Sequence, residues 1–455
     1  MPKYFTPHFV FLSIATLFGC LLCVLVPPFQ SPDEINHFYK AIHVSEGHFW
    51  GERTIDNRLG GQIPTNVIHF SALYQPMIHN DSLCHFVNFA EAKNISWNAD
   101  NQSFMDFANT AFYAPIAYIP QAVAVWISQK IDTNIYTGFL MARLFNYLIW
   151  LLLVYQSIRI APFGKWVLAA LALLPSSLAF HASCNPDVMV HGLAFWLFAF
   201  SLKNHEQLEK LTNVQQGFGL LAVGILTLQK VIFFPFIFLF LFFSFNKAFK
   251  NQLFFIKTLI INVLIIIFLF YNSKNSFITY DDYNVQYRDT QTLNEGVAPM
   301  SQLHFIVEHP FFFTKVTLIS FIKSAPATLA HFVGKFAWVE HYLPAWQIAA
   351  CLLALFLIII NEKNIDINRA KRVRWLSVSL LFFMSFSVLM YMLWCPVGAS
   401  VLSNLQGRYF IGIAPLLAFS MLGLKPIFDK IHFFSISILI LANIHLIYLV
   451  YKLYS

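Results

Sequence analysis

The sequence predicts an all-α polytopic membrane protein, and three observations carry that reading. Hydrophobic residues make up 58% of the 455 positions and charged ones only 11%, with a mean hydropathy of +0.62. Apolar runs long enough to cross roughly 30 Å of hydrocarbon recur along the chain. Charged residues collect in the segments between those runs. Soluble globular chains do not have this composition. The net charge of +7 is read loop by loop and is no sign of a nucleic-acid partner.

The N-terminus carries Lys3, is short, and reads as cytoplasmic. A first span runs from about His8 to Val26 and leads straight into Pro27-Pro28, without a small-x-small cleavage site; it reads as a retained span rather than a signal peptide. Cys20 and Cys23 form C-x-x-C inside this apolar run, where core packing outweighs redox or zinc chemistry. Residues 28–134 then form a long first extracytoplasmic loop containing interfacial helices, with nine acidic residues up to Asp106. Near its start, Ser31 suits an N-cap and Pro32 the first helical position. Asp33, Glu34 and His37 then fall in the first turns, near the positive end of the helix dipole, with Asp33 and His37 as i,i+4 neighbours. Ile35, Phe38, Tyr39 and Ile42 form a stripe suited to the membrane surface. His37, His43 and His48 are too loosely spaced to define a metal site. The loop closes with Phe112–Gln121, whose two prolines and flanking tyrosines suit an interfacial helix leading into Ala122–Ser128.

About eleven spans result, with the N-terminus in and the C-terminus out. After the first come Ile135–Ile158, Trp166–Phe180, Val188–Leu202, Phe218–Leu228, Val231–Phe245, Phe254–Tyr271, Leu343–Ile360, Trp375–Trp394, Tyr409–Leu424 and Phe433–Val450. Residues 272–342 form a second large extracytoplasmic segment, in which Phe311–Ala330 is expected to be interfacial or re-entrant. The basic loop from Arg369 to Arg374 fixes the orientation: segments assigned to the cytoplasm hold 15 Lys/Arg against 5 Asp/Glu. Cys84, Cys184 and Cys395 all fall outside the cytoplasm, and the sequence leaves a disulfide among them open.

Four polar features gather on the outer side at span ends: Asp33/Glu34/His37, Asn185-Pro186-Asp187, Lys230, and Gln406-Gly407-Arg408-Tyr409. Charges in the membrane cost roughly 2.5–3.5 kcal/mol each on insertion scales, so such a cluster implies a use. A carboxylate that deprotonates a hydroxyl, beside cations that hold a phosphate, is one such use. Each feature also has a plain structural alternative. Asp33 and Glu34 could cap a helix, Asp187 could start one, Lys230 could snorkel, and Arg408 could pair with an acidic loop residue. No Gly-rich phosphate loop, nucleotide motif or Ser-His-Asp pattern is visible.

The run from Pro32 to Ala41, Pro-Asp-Glu-Ile-Asn-His-Phe-Tyr-Lys-Ala, with Glu46-Gly47, resembles the opening motif of a bacterial family of multipass membrane proteins of unknown function. That family is grouped with GT-C glycosyltransferases. The resemblance continues through Tyr113–Gln121, Arg143-Leu-Phe-Asn146, Leu174-Pro175, Asn185-Pro186-Asp187, Lys230, Phe336-Ala-Trp338, Leu343-Pro344 and Gln406–Phe410, in the expected order over nearly the whole chain. Ile35, Lys40 and Ala337 stand where Pro, Arg and Gly are expected. The resemblance implies a single GT-C-like transmembrane domain over residues 1–455 in a bacterial inner membrane. It also implies a polyprenyl-phosphate-linked sugar donor and a cell-envelope glycan or lipid as acceptor, used on the extracytoplasmic side. By motif position Asp33 is the catalytic base and Asp187 the second acid, with Glu34 beside them. Lys230 and Arg408 are the phosphate ligands, supported by His37, Asn185, Gln406 and Tyr409. A divalent metal is allowed, without a defined ligand set. A lipid-linked glycan flippase, a glycan polymerase or ligase, and a non-catalytic envelope subunit are the competing expectations. A flippase would need polar residues along a path through the bilayer, whereas Arg143 is nearly alone in mid-span.

Overall fold

The computed structural model describes residues 6–80, 83–84, 87–98, 100–204, 213–239, 249–338, 340–362, 367, 369–422 and 431–455. Helix α1 (Pro7–Leu25) is the first apolar run, opened by its proline. After a turn, α2 (Glu34–Ser45) begins with Asp33, not Ser31, at its N-cap, and Asp33 sits in the left-handed region at φ 60°. The apolar stripe of α2 does not lie on lipid. Phe38, Tyr39 and Ile42 are buried in a small core that the loop shares with Ile135, Phe139 and Ala142, and with Cys184, Ile278 and Tyr283. That core is closed by β1 (Glu52–Arg53), β2 (Leu59–Pro64), α3 (Thr65–Tyr74), α4 (Phe89–Ala92), β3 (Gln102–Asp106) and α5 (Ala108–Ala111). The strands form an antiparallel sheet in the order β1-β2-β3. Gly60 is required there, because a Cβ would meet the Met105 carbonyl oxygen at 1.8 Å.

The first loop returns through a 3-10 turn at Pro115–Tyr118 into α6 (Ile119–Lys130), a short helix as expected. It packs on α7 (Ile135–Ile160), which also contacts α1 and is the hub of the bundle. Next come α8 (Lys165–Ala172), α9 (Pro175–His181), α10 (Asp187–Asn204), α11 (Asn213–Gln229), a 3-10 segment at Val231–Leu239 and α12 (Phe249–Ser273). The second polar segment leads to α13 (Pro299–Glu308) and α14 (Pro310–Gly334). A ribbon of β4 (Lys335–Phe336) and β5 (His341–Tyr342) follows, then α15 (Ala345–Asn361), α16 (Arg369–Trp394), α17 (Ala414–Ser420) and α18 (Ile431–Tyr454).

Six helices among the described residues are long and apolar enough to span a membrane: α1, α7, the Ile256–Ser276 stretch containing most of α12, α14, α16 and α18. The count is below the eleven expected, for identifiable reasons. Trp166–Phe180 is broken before Pro175 into α8 and α9, and Tyr409–Leu424 is broken before Pro415 into a 3-10 turn and α17. Proline admits a helix start but not its interior, and both pieces are apolar because they are packed inside the protein. α15 covers the run expected to span at Leu343–Ile360 but has only 17 residues. Phe311–Ala330, expected to be interfacial or re-entrant, falls within α14, which is continuous for 25 residues and long and apolar enough to cross a membrane. The loops through Lys210, Lys247 and Lys425, and the end of the expected Val231–Phe245 span, lie outside the described residues. Among the described residues, Cys20, Cys23, Cys184, Cys351 and Cys395 are free thiols.

Candidate functional site

Arg143 and Asn146, one turn apart on α7, organise the site. Arg143 is fully buried and uses all five of its N–H donors. Nε and one Nη donate to the two Glu34 oxygens at 2.8 and 2.7 Å; the remaining bonds go to the carbonyls of Cys23, Val26 and Pro27 at the end of α1. A guanidinium therefore satisfies the orphan carbonyls of a helix end that carries no C-terminal polar residue of its own. The Cys184 N–H donates to Glu34 as well, at 2.8 Å. Asn146 donates to the Ser183 and Asn185 carbonyls at 3.0 and 2.8 Å. One face of α7 thus anchors both acidic segments, Asp33-Glu34 and Asn185-Pro186-Asp187.

The two neighbouring carboxylates separate completely. Glu34 is locked into this buried network and does not reach the cavity, whereas Asp33 opens onto it. Asp33 accepts a hydrogen bond from Asn109 at 3.0 Å, and Asn109 in turn accepts one from Asn36 at 2.7 Å. Its other oxygen is 3.7 Å from Arg408. Asp187 starts α10, with its N–H donating to the Asn185 side chain at 2.8 Å, and pairs with Lys230 at 2.5 Å. The Lys230 ammonium lies 5.8 Å from the Tyr113 ring and 5.7 Å from the Tyr409 ring, within cation–π range. Arg408 enters on a 3-10 turn at Gly407–Phe410, pressed so closely to α14 that a Cβ on Gly407 would meet the Phe332 nitrogen at 2.3 Å. Its Nε is buried and has no hydrogen-bond partner among the described residues. His37 is hydrogen bonded to the Tyr118 hydroxyl at 2.8 Å, and Gln406 donates to Asn404.

Asp33, His37, Asn185, Asp187, Lys230, Gln406, Arg408 and Tyr409 all line one cavity of about 1100 Å³. Apolar side chains also line it: Val231 and Ile232, Leu269 of α12, and Leu389, Met390 and Leu393 of α16. Charged groups and a hydrocarbon surface therefore share one space. Burial pushes the Asp33 carboxyl above the ordinary carboxylate range, against the pull of Arg408 and Lys230 and with Asp187 reinforcing it. Burial likewise pushes the His37 imidazole down to about 3, which keeps it neutral. A carboxylate of raised basicity can accept a proton, and two cations nearby can hold an anion. The set suits a divalent metal poorly, since Lys230 already neutralises Asp187 and Arg408 faces Asp33. Asn109 escaped the sequence reading because an Asn in a polar loop carries no positional signal.

From within α1 to α17, residues 16–417 match the family described as predicted membrane protein DUF2142. The chain belongs to that family. Neither the curated proteins nor the solved structures include a match. The family span contains every residue of the site, from Asp33 to Tyr409, and with the six long apolar helices it makes this a multi-pass membrane protein.

Proposed function

We propose that this DUF2142 protein is a GT-C-type glycosyltransferase of a bacterial inner membrane. In this reading it takes sugar from a polyprenyl-phosphate donor and passes it to an envelope glycan or lipid on the extracytoplasmic side. The observation that carries the reading is the single cavity in which Asp33, Lys230 and Arg408 adjoin an apolar wall. A polyprenyl-phosphate sugar has a matching division into long hydrocarbon, anionic phosphate and polar sugar. In the reaction Asp33 takes the proton of the acceptor hydroxyl. The oxygen attacks the anomeric carbon, the bond from that carbon to the phosphate oxygen breaks, and polyprenyl phosphate leaves. Arg408, with an uncommitted buried Nε, and Lys230 stabilise the departing anion. Asp187 holds Lys230 in place. A flippase is the weaker reading, because Arg143, the buried charge within α7, has every donor engaged in holding the framework and offers no path.

The test is release of free polyprenyl phosphate by protein in lipid nanodiscs supplied with a panel of polyprenyl-phosphate sugars and an envelope extract as acceptor source. Asp33→Asn is expected to slow release by roughly 10²–10⁴-fold, the usual contribution of a general base, with unchanged membrane levels. Equal turnover by the variant would remove Asp33 from the mechanism.

A further inference from the structure

Outside the cavity, three side chains converge near the C-terminal end of α2. The ligand atoms of His43, His48 and Glu52 all lie within 4.8 Å of one another. Glu52 Oε1 is 3.6 Å from His43 Nε2 and 3.2 Å from His48 Nδ1. In a tetrahedral zinc site with bonds of about 2.0–2.2 Å, ligand atoms stand roughly 3.3–3.6 Å apart, so these two edges are within about 0.1 Å of the required length. The His43 and His48 rings stack, with centroids 4.8 Å apart and planes 24° from parallel, so closing the third edge requires the half-exposed His48 to rotate.

His43 is the telling member. Its side chain is fully buried, and neither ring nitrogen has a hydrogen-bond partner among the described residues. Buried imidazoles normally satisfy at least one nitrogen, since an unmade bond costs about 1–3 kcal/mol. The fold also makes room for this ring: a Cβ on Gly61 of β2 would come within 2.5 Å of His43 Nε2 and Cδ2. Phe107 packs edge-on against the ring from another side, at 5.6 Å. The nearby Lys40 opposes a cation, but its ammonium is held by the carbonyls of Phe49 and Ala111, at 2.9 and 3.3 Å, and burial pushes its pKa down to about 7.

We propose that His43, His48 and Glu52 bind a single Zn²⁺-class ion, with the fourth coordination position open to solvent. Two imidazoles and one carboxylate form a borderline donor set that prefers zinc to magnesium or calcium, which take all-oxygen sites. The ion would staple the end of α2 to β1, at the opposite end of the helix from Asp33. Ten residues of helical rise put it about 15 Å from that carboxylate, so the site is separate from the cavity.

The experiment uses the full chain purified in nanodiscs without a polyhistidine tag, stripped with chelator, and titrated with Zn²⁺ against a chromophoric competitor. One Zn²⁺ per chain is expected for the wild type, and loss of that stoichiometric binding in His48→Ala/Glu52→Gln. Both altered side chains are exposed, so the metal-free variant should melt at the wild-type temperature. Zn²⁺ should then raise the melting temperature of the wild type alone. Co²⁺ provides an independent readout, with visible absorption of a nitrogen-ligated ion expected in the wild type and absent from the double variant. Equal Zn²⁺ binding by the two proteins, or no stoichiometric binding by the wild type, overturns the proposal.

Discussion

Replacing Arg143 with Met tests the deepest structural claim, that this arginine holds the framework rather than serving the chemistry. Its side chain and that of Glu34 are both fully inaccessible to solvent. Met fills much of the same volume but leaves Glu34 with only the Cys184 N–H for a partner, and strands the carbonyls of Cys23, Val26 and Pro27. Breaking a buried ion pair from one side costs about 3–5 kcal/mol, a large share of the 5–15 kcal/mol that stabilises a typical domain. The double variant Arg143→Met/Glu34→Gln has no orphaned charge and should recover about 2 kcal/mol, which a double-mutant cycle reads as coupling. The assay is thermal unfolding in detergent, followed by near-ultraviolet circular dichroism and by retention of a single elution peak. Arg143→Met should lose ordered protein while Asp33→Asn keeps it, although the affected carboxylates are adjacent in the chain. A single Arg143 variant as stable as wild type, or a coupling near zero, would refute the assignment.

Three further outcomes follow from the same coordinates. Ala337 sits at φ +55°, where a Cβ is strained, so Ala337→Gly should stabilise the protein by about 1 kcal/mol in thermal unfolding. Because His37 is neutral down to about pH 3 when folded, only the unfolded chain gains a proton below about pH 6.5. Its contribution to stability should therefore fall by about 1.4 kcal/mol per pH unit between roughly 6.5 and 3, and pH-dependent melting of His37→Gln should lack that component. The Tyr283 hydroxyl donates to Asp106 at 2.6 Å and accepts from the Leu59 N–H at 3.0 Å, tying the second polar segment to the first. Tyr283→Phe should cost about 1–3 kcal/mol and speed proteolysis between Asn272 and Pro299, while leaving the bundle intact.

Much of the site was legible because membrane-end charges are costly enough to be informative. Asp33, Asp187, Lys230 and Arg408 lie far apart in the chain, yet each stands out against an apolar background, and the fold brings all four to one cavity. The roles of adjacent residues were not legible. Asp33 and Glu34 look equivalent in sequence, and only the left-handed turn at Asp33 sends them to different environments. Hydropathy failed where burial in protein imitates burial in lipid, as in α8, α9 and α17. At α14, Lys315, Lys323 and Pro326 all fall within one unbroken helix, a continuity that hydropathy did not signal. The expected glycine at Ala337 has a backbone reason that sequence alone does not reveal. His37, His43 and His48 were discounted on spacing and Glu52 was not singled out, since convergence across a helix end and a strand leaves no regular interval.

The embrace of Arg143 has a mechanical consequence. It bonds to the exit of α1, the first residue of α2 and, through Glu34, the chain before α10, while Asn146 secures the same stretch from one turn along. These parts form a stator. Any widening of the cavity for a bulky molecule must therefore come from the lining that α12 and α16 contribute, which is mostly apolar. Distances between spin labels on α2 and α7 should stay fixed when a ligand enters, whereas those between α7 and α12 should change. The reverse pattern would mean that the polar half yields first.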